Sequence, residues 1–224
     1  FINRGLSFYY PNGWAYKIVH ATKYIEFGDS VSVIPALLTN RNSSLKEVKF
    51  PNRAFTFDVY NSEVNGREFG IFSGCTSLEK VDLSNLQPAR SYYEWVDFDD
   101  GDGYYNEKTT DASNAYFIPP MTFKGCTALK EVILPDTLAY MTGRYSVDGV
   151  WISDGMNGVT GNNYFIGASA FEGCSALESI TFPIAILKGG RTGVQWIGSR
   201  AFAGSGLKTL TLPNFISCLG KNAF

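Results

Sequence analysis

The sequence has little charge and no long apolar run, and each of these shortages argues against a class of function. Charged residues make up 18% of the 224 positions, and 19 Lys and Arg against 21 Asp and Glu leave a net charge of −2. A chain without a basic excess lacks the electrostatic footprint that binds the phosphates of nucleic acids or anionic lipids. No apolar stretch approaches the ~18 residues of a membrane-spanning helix. We therefore expect no nucleic-acid partner and no direct membrane insertion of this segment.

The chain contains a single histidine, His20, which restricts the chemistry open to it. One imidazole excludes multi-histidine zinc sites and makes any Ser/His/Asp triad dependent on the N-terminal segment. No Gly-x-Ser-x-Gly, Walker or dinucleotide-binding motif is present. We predict no catalytic residue, no metal site and no cofactor, and therefore a protein that is not an enzyme.

Cysteine is also sparse, with four residues at Cys75, Cys126, Cys174 and Cys218. An even count is compatible with disulfides in a secreted chain, but no pair has the CxxC spacing of a metal site. The first three follow a Phe-x-Gly signature, and Asn42 and Ser205 take the same position in other copies of the repeat. A shared position in a repeat favours free, buried thiols over disulfide bridges.

What the sequence does contain is a repeat, Leu-x-x-Val-x-Leu-Pro, with conservative replacements. Its copies begin at Leu45, Leu78, Leu129, Leu177 and Leu207, and a weaker copy contains Ile25 and Phe27. Phe50 follows Phe27 by 23 residues, a step typical of leucine-rich repeats. Alternating apolar and polar positions predict a short strand in each copy, and the proline ends it because proline cannot donate to a β-ladder.

A second signature, Phe-x-Gly-Cys or Phe-x-Gly-Ser, comes before four of these strands, at Phe72, Phe123, Phe171 and Phe202. The phenylalanine can fill the core, and the glycine can adopt a positive φ at the turn. Because each unit is apolar on one side, it must stack on its neighbours to bury that side. We expect parallel strands on a concave face and irregular turns on the convex face.

Together, Ala-Phe-x-Gly-Cys-x-x-Leu-x-x-Ile-x-Leu-Pro and the Ile-Gly-x-x-Ala-Phe element at 166–171 and 197–202 resemble the BspA-type leucine-rich repeats of bacterial surface proteins. The resemblance covers residues 23–224 and implies a leucine-rich repeat solenoid, mostly β and irregular, with about six strands in a parallel concave sheet. It implies a right-handed curved stack with long lateral insertions. Residues 1–22 are predicted to form a degenerate repeat or an N-terminal cap.

Two long insertions, of 28 and 25 residues beyond the basic period, lie near 86–117 and 139–164. Since they belong to adjacent units, we expect them to touch and form a lateral platform. The first is aromatic, and its candidate ligand-binding residues are Tyr92, Tyr93, Trp95, Tyr104 and Tyr105. Alternatively these rings pack against Trp151 and Tyr164 as a small core of the loops themselves. The glycines and Asp-Gly pairs of the second insertion predict hairpins with tight turns.

The first insertion is also acidic, with carboxylates at Asp97, Asp99, Asp100 and Asp102. A glycine-broken carboxylate loop is a possible calcium site, but here Gly101 occupies the fifth ligand position of an EF-hand and Asp102 replaces its obligatory glycine. The register therefore favours no dedicated metal site.

By resemblance, the expected function is a non-enzymatic recognition or adhesion module that binds a host or bacterial surface protein or a glycan. The expected location is extracellular or on the bacterial cell surface, with no signal or anchor within these residues. A structural spacer with no ligand of its own is the alternative, and an enzyme accessory domain is a more distant one.

Overall fold

The computed structural model describes residues 21–34, 39, 41–57, 70–87, 89–90, 115–139, 144–145, 151–152, 163–182, 184–186, 195–214 and 216–224. Within them, every regular element is a β-strand of two to four residues. The leucine-to-proline copies stack on one another, and we number them as rungs 1 to 6, at residues 22–27, 45–51, 78–83, 129–135, 177–182 and 207–213.

Rungs 1 to 4 form the predicted parallel sheet through β1 (Tyr24–Glu26), β3 (Glu47–Lys49), β5 (Lys80–Asp82) and β8 (Glu131–Ile133). The strands pair in direct register, with Glu47 beside Lys80 and Lys80 beside Glu131. The central valine of β3, β5 and β8 is buried while its flanking residues point outward, as the alternating pattern predicted. We call the outward side of this sheet and of rungs 5 and 6 the front face.

Rungs 5 and 6 lie alongside the sheet but do not form the strands that the repeat pattern predicts. A backbone hydrogen bond from Lys208 N to the Glu178 carbonyl oxygen (3.0 Å) links them. Rung 6 is one residue shorter in its turn, with Leu207 three positions after its glycine instead of four. This deletion brings Gly206 onto the Ser175 carbonyl, where a Cβ would approach within 2.2 Å. The register between rungs 5 and 6 is nevertheless that of the earlier rungs, where Lys130 N donates to the Glu79 carbonyl oxygen (2.8 Å).

A second sheet joins the segments that come just before the irregular Phe-x-Gly turns. It contains β7 (Ala115–Ile118), β12 (Asn163–Ile166), β14 (Gln195–Ile197) and β15 (Ile216–Leu219), all parallel, and β6 (Ala89–Arg90) antiparallel to β7. Phe117, Phe165 and Ile197 are fully buried beneath it. These strands are the Ile-Gly-x-x-Ala-Phe element and its relatives, which the sequence showed as a motif without showing that they pair.

Shorter ladders join the chain at a third place, just beyond the rungs. There β2 (Val33–Ile34) pairs with β4 (Thr56–Phe57), and β9 (Thr137–Ala139) pairs with β13 (Ile184–Ile186), both in parallel. Within the second insertion, β10 (Arg144–Tyr145) and β11 (Trp151–Ile152) are antiparallel, as the predicted hairpin requires. Parallel strands in several sheets are those of a repeat solenoid, whereas its curvature and handedness stay predictions.

A column of phenylalanines fills the interior from one rung to the next. Phe72, Phe123, Phe171, Phe202 and Phe224 stack face to face, with neighbouring ring centroids 5.2 to 5.7 Å apart. The leading leucines form a second column, fully buried in rungs 2 to 5 and partly buried in rung 6. Each rung therefore supplies one wall of its neighbour's core, which is why a single unit has no independent fold.

Candidate functional site

The front face is a regular polar surface to which each of the six rungs contributes. Its outward positions are exposed apart from the half-buried Ile133. Rungs 1 to 4 contribute Lys23, Tyr24, Glu26, Lys46, Glu47, Lys49, Glu79, Lys80, Asp82, Lys130, Glu131 and Ile133, and rungs 5 and 6 contribute Glu178, Ser179, Thr181, Lys208, Thr209 and Thr211. Rungs 1 to 4 are thus mainly charged, whereas rungs 5 and 6 carry mainly hydroxyl groups.

Lysine and carboxylate side chains on this face pair between neighbouring rungs. The pairs are Glu26–Lys49 (2.6 Å), Lys80–Glu131 (2.8 Å), Glu79–Lys130 (3.0 Å) and Glu178–Lys208 (2.7 Å). Their side chains keep 50 to 69% of their surface exposed. Exposed pairs of this kind stabilise a protein little. Their main effect is to hold each charged group at a defined position on the front face.

These contacts change the acidity of the carboxyls that accept them. The hydrogen bond from Lys49 holds the pKa of Glu26 below its usual value, and the hydrogen bond from Lys130 does the same for Glu79. The hydroxyl of Tyr24 also donates to Glu26 (3.1 Å), and the pKa of this tyrosine is raised, first by desolvation and then by that hydrogen bond. The carboxyls therefore stay ionised and the front face keeps its charge pattern.

The alternating sequence pattern indicated the outward strand positions but not the polar column just before them. This column contains Lys46, Glu79, Lys130, Glu178 and Lys208, one in each rung from 2 to 6. The available signal was that each of these residues directly follows the leading leucine, where a side chain at the strand entrance points away from the core.

A second charged cluster joins three consecutive turns on another side of the stack. Glu172 contacts Arg200 through Oε1, with Nε at 3.2 Å, and its Oε2 lies 3.5 Å from Lys124 Nζ. The hydrogen bond from Arg200 is the main cause that lowers the pKa of Glu172, to about 2. The cluster fastens neighbouring turns to one another and presents no nucleophile or base.

The cysteines are free, as predicted, and three of them are buried in one column. Cys126 Sγ donates to the Phe72 carbonyl (3.0 Å), and Cys174 Sγ donates to the Phe123 carbonyl (3.1 Å). Cys75 likewise donates to the Thr39 carbonyl (3.1 Å). Burial raises the pKa of Cys75 to about 11 and that of Cys174 to about 12, and it raises that of Cys126 as well. These protonated thiols are structural, since the thiolate is the reactive form.

The predicted loop site cannot be placed in this fold. The five aromatic candidates Tyr92, Tyr93, Trp95, Tyr104 and Tyr105, the acidic run from Asp97 to Asp102, and His20 lie outside the described residues. Within the residues that are described, no group of three or more His, Cys, Asp and Glu is placed to hold a metal ion. Nor do the described residues contain a helix that is long and apolar enough to cross a membrane.

Stacked parallel rungs with buried leucine and phenylalanine columns and a polar front face define a leucine-rich repeat solenoid. A model of the family described as "BspA type leucine rich repeat region (6 copies)" matches residues 105–224, just over half of the chain. The chain belongs to this family, whose members are generally non-enzymatic and whose repeats suggest a surface module for protein interaction. No curated protein and no solved structure matches the sequence.

Proposed function

We propose that this chain is a non-enzymatic recognition or adhesion module, secreted or displayed on a bacterial cell surface. Its partners would be a host or bacterial surface protein or a glycan. The family supports the interaction role in general terms, and the front face supplies the observation that carries the proposal for this chain.

That observation is a polar surface held by rigid backbone pairing. The outward side chains of β3, β5 and β8 lie at fixed register on paired strands, while the inward side chains are locked in the core. Presenting side chains from paired strands lowers the entropy lost on binding, because fewer groups must be ordered. A recognition surface needs this property, whereas catalysis needs an arrangement of reacting groups.

The two long insertions remain the other candidate for ligand contact. The aromatic residues of 91–107 offer large contact area at low entropic cost, as binding anchors do. The front face and this loop are different surfaces, so one set of variants can tell them apart.

The test is a screen of the full chain against glycan and surface-protein arrays, with two variants and a control. One variant lacks residues 91–107, and the other carries Lys80→Ala and Glu131→Ala, which removes an exposed front-face pair. Lys221→Ala, at an exposed turn away from the front face, is the control. Loss of binding with one variant assigns the surface. Binding retained by both variants rejects the 91–107 loop and the Lys80–Glu131 pair as the site.

One observation favours the spacer alternative. The charged groups of the front face already form ion pairs with one another from rung to rung. A chain that bound nothing on either array while remaining folded would favour the spacer over the recognition module.

A further inference from the structure

The charges on rungs 2 and 3 of the front face are opposite in sign at every outward position. The rung 2 triplet reads plus, minus, plus and the rung 3 triplet reads minus, plus, minus, from Lys46, Glu47 and Lys49 and from Glu79, Lys80 and Asp82. All six side chains are exposed, and the parallel register places Glu47 directly beside Lys80. Two neighbouring rows of opposite pattern make a surface that is complementary to itself.

We propose that two copies of this chain associate face to face through the rung 2 and rung 3 triplets. The two-fold axis lies between β3 and β5, parallel to the strands and in the plane between the copies. This rotation keeps each position along the strand and reverses the order of the rungs, so the rung 2 triplet of one copy faces the rung 3 triplet of the other. The contact is isologous, as in most dimers.

Every facing position then joins opposite charges. Lys46 meets Glu79 of the second copy, Glu47 meets Lys80 and Lys49 meets Asp82, and the symmetry makes each pair twice. If the axis instead ran along the stack, each rung would face itself and Lys46 would meet Lys49. The charge pattern thus selects one of the two face-to-face arrangements.

The pairs within one chain leave room for pairs between chains. Lys80 Nζ contacts one oxygen of Glu131 at 2.8 Å, and both side chains remain 53% exposed. An ammonium has three donors and a carboxylate accepts at two oxygens, so each group can serve a further partner.

The equal numbers of positive and negative groups also favour a second copy of the chain over a partner whose charges all have one sign. The outward positions of the described rungs carry six lysines and six carboxylates in total. A polyanion or polycation would meet like charges in each of rungs 1 to 4, whereas a second copy meets opposite charges at rungs 2 and 3. One like-charge contact remains at the rim, where Lys23 faces Lys130 of the second copy.

Because exposed ion pairs are individually weak and are screened by salt, the dimer is expected to be weak and to dissociate at high ionic strength. Sedimentation equilibrium of the full chain should show a mass above the 24.7 kDa monomer at about 20 mM salt, falling to the monomer mass at about 500 mM salt.

Two triple variants provide the decisive test. Lys46→Glu/Glu47→Lys/Lys49→Glu gives rung 2 the pattern of rung 3, and Glu79→Lys/Lys80→Glu/Asp82→Lys gives rung 3 the pattern of rung 2. Each variant alone should stay monomeric at low salt, since like charges then face each other. An equimolar mixture of the two should associate again, because opposite patterns then meet at both rungs.

The mixture separates this contact from damage to the fold. Mixing cannot repair repulsion inside a chain, so recovered association requires contact between the triplets of two chains. Circular dichroism of each variant checks that its sheets are intact. Lys23→Glu turns the repulsive rim contact into an attractive one and should lower the dissociation constant by roughly 5-fold.

Three results would overturn the proposal. They are a wild-type chain that is monomeric at low salt, association that persists in both triple variants, and a mixture that stays monomeric.

Discussion

Within a turn, the small cysteine donates hydrogen bonds and also packs in the core. Its backbone N–H bonds to the phenylalanine carbonyl of its own turn, as Cys126 does to Phe123 (3.0 Å), while its thiol reaches the carbonyl of the neighbouring rung. Asn42 occupies the same position in rung 2 and is fully buried there. The shared hydrogen-bonding role explains why a polar residue can replace cysteine at this place.

Thiol labelling tests that account. In the native protein at about pH 8, Cys218 should react first because it is half-buried, while Cys75, Cys126 and Cys174 should resist because they are buried and protonated. After unfolding without reductant, all four thiols should react. Fewer than four labels would restore the disulfide interpretation, and Cys218→Ser should remove the fast phase.

The Glu172 carboxyl should contribute to the pH dependence of stability. Its pKa is about 2 in the folded chain, below the ordinary value of 4.5, so its ionised form is favoured by folding. The stabilisation is therefore fully present above about pH 4.5 and is lost as the pH falls through about 2.

Glu172→Gln removes this contribution and should cost about 1 kcal/mol near neutral pH, with a smaller cost near pH 3. Urea denaturation at the two pH values measures the difference. Glu178→Gln is the matched control, because its pair with Lys208 is far more exposed and should be near neutral. An equal cost for Glu172→Gln at both pH values would reject the role given to this carboxyl.

At the scale of elements, the second sheet depends on glycines that follow its strands. Gly167, Gly198 and Gly220 come directly after β12, β14 and β15. A Cβ built on any of them would lie 2.3 to 2.4 Å from a backbone nitrogen in the neighbouring rung. Backbone cannot move aside as a flexible side chain can, so these positions require the absence of a side chain.

Gly198→Ala should accordingly destabilise the protein by about 1–3 kcal/mol or more, as overpacking does. Gly28→Ala is the matched control, since a Cβ there meets nothing within 4 Å. It should change the free energy of unfolding by less than about 0.5 kcal/mol. Guanidinium denaturation compares the two variants, and similar costs would show that close approach of the backbones is not what the glycine provides.

The sequence predicted the strands of the front sheet but not those of the second sheet. Strands of the front sheet were predictable because Val48, Val81 and Val132 alternate with polar neighbours. The second sheet was not. Ile118, Ile166 and Ile197 precede the leading leucines Leu129, Leu177 and Leu207 by a nearly constant 11, 11 and 10 residues, but this spacing shows a motif without showing that its copies pair. Rungs 5 and 6 also form no strands, although both keep the repeat pattern.

At the scale of the whole molecule, stability is expected to depend on position in the stack. Phe123 lies between Phe72 and Phe171, with both ring centroids 5.4 Å away, and is fully buried. Phe224 stacks on Phe202 and is 53% exposed. In a quasi-one-dimensional array each unit is stabilised by its neighbours, so removing an inner ring disturbs two interfaces.

Phe123→Ala should therefore cost about 3–5 kcal/mol, whereas Phe224→Ala should cost roughly 1–2 kcal/mol because less apolar area is lost. Chemical denaturation of the two variants provides the comparison. A larger cost at Phe224 would mean that the phenylalanine column is not the principal support of the stack.

The candidate site was predictable in part. The alternating pattern of the sequence indicated which strand positions face outward, but it did not show their pairing from rung to rung, because partners such as Glu79 and Lys130 are 51 residues apart in the chain. The loop site at Tyr92, Tyr93, Trp95, Tyr104 and Tyr105 stays a prediction, and the array screen with the 91–107 deletion is its test.

The sequence by itself determined the rung, because the positions of leucine, phenylalanine, glycine and proline specify locally which side is buried and where the chain turns. Only the tertiary structure decided how the rungs meet. Insertions change the number of residues between rungs but not their register in space, so the second sheet, the column of cysteines and the opposite charges of rungs 2 and 3 arise from stacking. The pattern within one repeat sets the fold, whereas the surface available for recognition depends on which rungs become neighbours.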